Sequence, residues 1–268
     1  MNASIALHRA GLGTLVLLAA VATASPAAAL VIDSFTDPFP AHPSLPATGA
    51  RVLFVGPRCD GAACPPGTIV TNPDESSDRT KQFDLPGIVG PIRQTSFGTW
   101  FEPNPGGSGV LAIDPGSGGR LSLTSPGGPI LGLQLKYGGH ENDGDGEHPL
   151  NLDLEAEGSD RLEIEILAVP ASPYNPLRLY VQLGKNEGRL DALWANHEAQ
   201  IDAPGLLVIP FAELEGRFEE FKDDVDYIRF EFVMSPSGEL VVGEFRFASA
   251  TTATEPSSWG RIKSAYRR

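Results

Sequence analysis

Residues 177–183 read Leu-Arg-Leu-Tyr-Val-Gln-Leu, with an apolar side chain at every second position. Because successive side chains of a β-strand point to opposite faces, this spacing predicts a strand with one buried and one solvent-facing side. The alternation recurs at residues 131–135, 162–166 and 228–232, and turns rich in Gly, Pro and Ser separate the runs. Short strands at this spacing are typical of an all-β sandwich or barrel.

Two regions depart from this pattern. Residues 57–86 are polar and rich in turn-forming residues, so we expect long surface loops there. Four apolar residues between positions 211 and 221 follow a helical spacing behind Pro210, which predicts one short helix or turn.

The first 29 residues have the layout of an export signal. A weakly basic start precedes an apolar run over residues 12–22, and small residues end at Ala29. A transmembrane helix is the alternative, but the run is shorter than the ~20 residues that a bilayer core requires. We therefore expect cleavage after Ala29 and a secreted or periplasmic mature protein. No second apolar run of that length follows, which predicts no membrane span in the mature chain.

The charge balance excludes one class of partner. The chain has 20 Lys and Arg against 34 Asp and Glu, a net charge of -14. Binding to a phosphate backbone requires a basic surface, and the basic residues cluster only near the C-terminus. We therefore expect no nucleic-acid binding.

Residues 250–268 have the composition of a flexible tail, which leaves residues 30–249 as one domain.

Cys59 and Cys64 are the only cysteines of the chain. Two nearby cysteines in an exported protein usually pair, and Gly and Pro around them favour a tight loop. We expect a disulfide that shapes one surface loop. A redox or zinc role would need a closer pair or further ligands nearby.

Residues 140–148 read His-Glu-Asn-Asp-Gly-Asp-Gly-Glu-His. Acids at alternate positions separated by Gly resemble the start of a calcium loop, which predicts calcium binding by Asp143, Asp145 and Glu147. A solvated acidic hairpin tip is the alternative, since no bidentate acid follows at the expected distance. His140 and His148 lack an evident third zinc ligand, which favours surface histidines.

Several segments together resemble a known family. They are an opening Ile-Asp-Ser-Phe at residues 32–35, the segment 87–90 with Arg93 soon after, the segments 160–164, 209–214 and 225–230, and a closing Gly-Glu-Phe-Arg-Phe at 243–247. This order resembles the jelly-roll domain of bacterial extracellular proteins sorted by exosortase (the PEP-CTERM kind). More distantly, it is similar to galactose-binding-like carbohydrate-binding modules. The resemblance implies a single jelly-roll β-sandwich of antiparallel strands with at most one or two short helices.

The tail departs from the exosortase pattern. Thr254-Glu255-Pro256 and a basic end are present, but no apolar helix lies between them. The resemblance to carbohydrate-binding modules also implies a structural calcium between the first and last strands. Asp33 and either Gly243 or Glu244 occupy the corresponding positions.

The resemblance implies a non-catalytic binding or structural protein, with extracellular polysaccharide as the first ligand class to test. A sugar site would present aromatic rings, and Trp100, Tyr180 and Trp194 are the candidates, with core or loop packing as the alternative for each. A jelly-roll polysaccharide lyase or glycoside hydrolase is the rival function, and a matrix protein without a small ligand is the third. No Gly-x-Ser-x-Gly motif or free thiol marks a nucleophile.

Overall fold

The computed structural model describes residues 29–39, 50–55, 77–99, 107–125, 130–140, 146–170, 177–234 and 237–250. Almost all of its regular structure is β-strand. In chain order the strands are β1 (Leu30–Asp33), β2 (Ala50–Val55), β3 (Ser77–Phe83), β4 (Ile92–Thr99), β5 (Gly107–Asp114), β6 (Arg120–Ser125), β7 (Leu131–His140), β8 (Glu147–His148), β9 (Arg161–Ala168), β10 (Leu177–Lys185), β11 (Leu193–Ile201), β12 (Gly205–Pro210), β13 (Glu215–Gly216), β14 (Tyr227–Met234) and β15 (Gly238–Ala248).

The described strands form two sheets, which we call sheet I and sheet II. Sheet I has the order β12-β9-β15-β6-β5-β2, with β1 also paired to β15. Sheet II has the order β13-β11-β10-β14-β7-β4-β3, with β8 paired to the end of β7. All pairings are antiparallel, and consecutive strands often change sheet, as β14 and β15 do. The predicted β-sandwich is therefore confirmed.

The core lies between the sheets and follows the alternation seen in the sequence. Leu179, Val181 and Leu183 of β10 are fully buried, while the residues between them face away from the core. Phe230 of β14 meets Phe245 of β15 with ring centroids 4.3 Å apart, which joins the two sheets directly. Full burial of such a side chain contributes about 1.5–3 kcal/mol, so this apolar layer is the main stabilising feature.

A polar cluster is enclosed within the same interior. Asp33, at the end of β1, accepts hydrogen bonds through Oδ2 from Arg93 Nη1 at 2.9 Å and from Tyr137 Oη at 2.7 Å. Its Oδ1 accepts the backbone N–H of Phe35 at 2.7 Å. Burial raises the pKa of the Tyr137 hydroxyl well above its ordinary value, and the neighbouring Asp33 charge raises it further. The cluster fastens β1 to sheet II.

Arg93 uses its remaining donors within the cluster. Nε and Nη2 donate to Gln82 Oε1 at 3.1 and 2.8 Å, and Nη2 also donates to the Asp37 carbonyl at 2.6 Å. Buried charges are tolerated when they are paired and hydrogen-bonded, as both ions are here. The Asp33 carboxylate, considered above for calcium, is thus held by Arg93 and Tyr137.

The loop prediction for residues 57–86 was wrong at its C-terminal end, where Ser77–Phe83 forms β3. This strand pairs with β4, placing Thr80 opposite Thr95 and Gln82 opposite Arg93. Its inward side chains are polar because Gln82 serves the Arg93 guanidinium, so no apolar alternation marks the strand. Residues 211–221 contain two short 3-10 turns, Phe211–Glu213 and Phe218–Glu220, in agreement with a short helix or turn.

Candidate ligand-binding face

The face of sheet II that points away from the core carries the candidate site. Tyr180 and Gln182 alternate with buried residues of β10 and therefore lie on this outer face. Antiparallel pairing aligns them with residues of the neighbouring strands, which produces two parallel rows across five strands. Four strand spacings of about 4.8 Å give each row a length of roughly 19 Å.

The members of the two rows follow from the strand register. The Tyr180 row consists of Glu198, Tyr180, Glu231, Gln134 and Ser96 on β11, β10, β14, β7 and β4. The Arg229 row consists of Asn196, Gln182, Arg229, Lys136 and Gln94 on the same strands. We call these two rows together the open face.

Several polar groups of the open face keep hydrogen-bonding capacity that no described residue uses. Arg229 is half-buried and donates through Nη2 to Gln182 Oε1, and it forms no ion pair with any described residue. Gln134 and Glu231 have no side-chain hydrogen bond to the described part of the chain. Donors and acceptors are therefore available side by side at the centre of the sheet.

One end of the Arg229 row is closed by the loops around it. Lys136 Nζ lies 2.6 Å from Glu187 Oε2 and 2.5 Å from the His140 carbonyl, and the side chain is 2% exposed. Burial lowers the pKa of Lys136, and the hydrogen bond and charge of Glu187 oppose that shift. Lys136 thus anchors the β10–β11 hairpin to the end of β7. It forms a closed boundary beside the accessible residues Arg229 and Gln182.

Tyr227 extends the closed boundary that Lys136 forms. Its ring lies over Gly184, where an added Cβ would come within 2.4 Å of the ring carbons, so the position requires glycine. Burial raises the pKa of Tyr227 to about 12, and the charge of Glu187 contributes in the same direction. The hydroxyl is therefore neutral at physiological pH and can both donate and accept a hydrogen bond.

The structure brings two of the three predicted aromatic residues to one face. Tyr180 lies within the open face and is half-buried. Trp194 of β11 lies opposite Gly184 on the same side of sheet II and is 51% exposed, which is high for a tryptophan. Trp100 lies outside the described residues.

The predicted calcium ligands are only partly covered. Asp143 and Asp145 lie outside the described residues. Glu147 lies on β8, where Oε2 accepts from Arg189 at 2.6 Å and Oε1 lies 3.3 Å from His140 Nε2. Within the described ranges, no group of three or more His, Cys, Asp and Glu side chains could hold a metal ion.

The remaining predicted sites do not come together with these residues. His148 packs edge-on against Phe83, with ring centroids 5.4 Å apart, while His140 faces Glu147. Cys59 and Cys64 lie outside the described residues, so their pairing stays a prediction.

The outer face of sheet I has a different character. Glu163 of β9 is 2% exposed and lies between Arg161 and Arg246, with nitrogen–oxygen distances of 2.8 and 2.7 Å. Arg246 also reaches Glu244 at 3.2 Å. We call these four residues the paired face, because their charges neutralise one another.

Sequence reasoning did not find the open face as a unit. In the sequence, Arg229, Glu231 and Gln134 have the pattern of ordinary solvent-facing strand residues. The missing information was strand order, since Glu231 and Gln134 are paired neighbours in the sheet but lie 97 positions apart in the chain. No helix among the described residues has the length and hydrophobicity that a bilayer crossing requires.

No protein-family model matches this chain, and no curated protein matches its sequence. The resemblance to exosortase-sorted proteins therefore has no support from these comparisons.

Several solved structures are similar to the chain, and they are carbohydrate-binding modules. One is a family 11 module from Clostridium thermocellum in complex with a β-1,3-1,4-mixed-linked tetrasaccharide. It has 16% identity and a TM-score of 0.37, covering 64% of this chain and 96% of the module. Another is the family 11 module of a cellulosomal cellulase of the same organism, with 16% identity and a TM-score of 0.38 over 65% and 95%. A third, described by its place in the β-sandwich superfamily of carbohydrate-binding modules, has 10% identity and a TM-score of 0.31 over 65% and 56%.

Proposed function

We propose that the open face binds a polysaccharide and that the protein is a non-catalytic, extracellular or periplasmic binding protein. One observation carries the proposal: Arg229, Glu231 and Gln134, with donors and acceptors that no described residue uses, lie in register beside Tyr180 at the centre of sheet II.

The chemistry of this arrangement suits a sugar chain. Each pyranose ring has an apolar side, which packs on an aromatic ring, and a rim of hydroxyl groups that both donate and accept. Tyr180 and Trp194 supply the aromatic surfaces. Arg229 supplies donors, Glu231 supplies acceptors, and the amide of Gln134 supplies both.

The length of the rows supports a polymer as the ligand. A row of roughly 19 Å is longer than one sugar ring, and its polar groups recur at each strand. A chain lying across the strands meets a new side chain at each strand spacing. We infer that the glycan runs perpendicular to the strands, from Glu198 towards Ser96.

The test is a glycan array combined with a product assay on the same polysaccharides. Retention without product is expected, and retention falls in Tyr180→Ala and Arg229→Ala variants that keep their melting temperature. Thr124→Ala, on the outer face of sheet I, is the matched control. Product formation instead supports the rival lyase or hydrolase. The absence of both retention and product contradicts the proposal and supports a matrix role.

Calcium binding by Asp143, Asp145 and Glu147 is a separate proposal. Glu147 would have to exchange its contact with Arg189 for the ion, so we expect weak binding. Calorimetric titration of the desalted protein and a rise in melting temperature with calcium would support it. A titration without heat or thermal shift, indistinguishable from that of Glu147→Gln, contradicts it.

A further inference from the structure

Strand β12 lies at one edge of sheet I, and no described strand pairs with its outer side. Edge strands expose unpaired backbone groups, and proteins usually protect them with charges or by keeping them short. Among the described residues, the edge strand β3 carries Lys81, and the edge strand β13 has only two residues. β12 has six residues and no charge, so it lacks both forms of protection.

The side chains of β12 add an apolar surface to this edge. Leu206 is 46% exposed and Val208 is 41% exposed, and both lie on the outer face of sheet I. Glu165 of β9 lies directly opposite Leu206 and forms no ion pair with any described residue. An occupant of this edge therefore needs apolar side chains and a positive charge.

The C-terminal tail starts beside this edge. Asp160 accepts the Ala250 backbone N–H through its carboxylate at 2.9 Å, and its carbonyl accepts the Phe211 N–H at 2.9 Å. The last described residue and the residue that follows β12 are thus held by one aspartate. The described chain therefore ends, at Ala250, beside the Pro210 end of β12.

The composition of the tail complements the edge. Residues 251–268 contain Trp259, Ile262 and Tyr266, and their basic residues Arg261, Lys263, Arg267 and Arg268 oppose the single acid Glu255. The protein as a whole has a net charge of -14, so the tail is its cationic segment.

The distance is also compatible. Passing from β15 beyond β9 and β12 requires three strand spacings, about 14 Å, which four or five extended residues span. Residues 251–256 suffice, leaving residues 257–264 to match the six residues of β12.

We propose that residues 257–264 pair with the free edge of β12 as an antiparallel strand of sheet I. The direction follows from the exit point, because a chain leaving at Pro210 runs along the edge towards Gly205. Arg261 or Lys263 then neutralises Glu165, and Trp259, which lies on the same face of the added strand, covers Leu206 and Val208. The short connection gives the tail a high effective concentration at this edge, which favours it over a second copy of the protein.

Hydrogen exchange of the full chain tests this pairing. The amides of β12 that do not donate to β9 should be protected, and truncation after Ala250 should raise their exchange rate about tenfold or more. Adding a synthetic peptide of residues 251–268 to the truncated protein should restore the protection. Arg261→Glu combined with Lys263→Glu in the full chain should weaken it, whereas Arg267→Glu alone should not.

Two results overturn the proposal. One is equal exchange of β12 in the full and truncated proteins while both retain the same protection in β9 and β15. The other is protection that depends on protein concentration, together with a dimer in sedimentation, because it assigns the edge to a second copy. Neither result bears on glycan binding by the open face, so the two proposals fail independently.

Discussion

The two outer faces of the sandwich use similar residues in opposite ways. On the paired face, Glu163 is enclosed by Arg161 and Arg246, so carboxylate and guanidinium groups satisfy one another. On the open face, Arg229 and Glu231 lie on one strand without an ion pair to any described residue. Charged residues on a sheet therefore do not define its role; the difference lies in whether their hydrogen bonds are already made within the protein.

Removing the central carboxylate of the paired face should have the largest effect. Glu163→Gln leaves two guanidinium groups without their anion, and we expect the free energy of unfolding to fall by about 3 kcal/mol. Urea unfolding measures the change, and glycan retention by the folded variant should be unaltered. Glu239→Gln, an exposed acid on the same face, should change stability by less than about 0.5 kcal/mol. Equal effects of the two substitutions would show that the paired face is not stabilising.

The corresponding change on the open face should affect binding more than stability. Arg229→Ala should weaken binding of a retained polysaccharide by about 2 kcal/mol, roughly thirtyfold, with less than about 1 kcal/mol lost in unfolding. Calorimetry on the folded variant measures the affinity. Gln200→Ala, on the same side of the sheet but outside the two rows, is the control. A loss of stability without a loss of affinity would place Arg229 with the paired groups.

The interior cluster offers a third polar region, which is closed like the paired face. Tyr137→Phe removes one hydrogen bond to the buried Asp33 and should cost about 1.5 kcal/mol of stability at neutral pH. Because folding raises the pKa of Tyr137 above its ordinary value of 10.0, the natural protein should lose stability as the pH rises above 10.0. The phenylalanine variant lacks this loss, so the difference between the two proteins should shrink at alkaline pH.

Urea unfolding between neutral and alkaline pH measures this trend. A difference between the natural protein and Tyr137→Phe that stays constant above pH 10.0 would contradict a protonated Tyr137 in the folded state.

The smallest expected effect concerns the exposed aromatic beside the open face. Trp194→Ala should reduce glycan affinity by about 1 kcal/mol, roughly fivefold, through loss of stacking. Affinity electrophoresis on polysaccharide gels measures it. Leu190→Ala, on the same hairpin but without an aromatic ring, is the control. Unaltered retention by folded Trp194→Ala excludes stacking of the glycan on Trp194 and limits the site to the two rows.

The sequence predicted what depends on local periodicity. The alternation at 177–183 and 228–232 identified β10 and β14 and assigned Leu179 and Phe230 to the core. It missed β3, because the inward positions of that strand hold Thr80 and Gln82 and follow no apolar pattern. A strand whose buried side serves a charged group has no hydrophobic signature.

The site was only partly predictable for a related reason. Tyr180 and Trp194 were chosen for their aromatic rings, and the structure places both on one face. Arg229, Glu231 and Gln134 form a candidate site only because strand pairing aligns them with polar residues of other strands. Their lack of partners depends on strand order and side-chain contact, which a single sequence without strand pairing does not contain.

The Asp33 cluster has a consequence for how the chain folds. Asp33 is 60 residues from Arg93 and 104 from Tyr137, so its hydrogen bonds close very long loops. Contacts of such sequence separation raise the contact order and slow the search for the native topology. A buried carboxylate is stable only when its hydrogen-bond partners, Arg93 and Tyr137, are in place. We therefore expect β1 to join last, after β3, β4 and β7 have assembled. The first strand in the chain, β1, is then the last strand to join the folded structure.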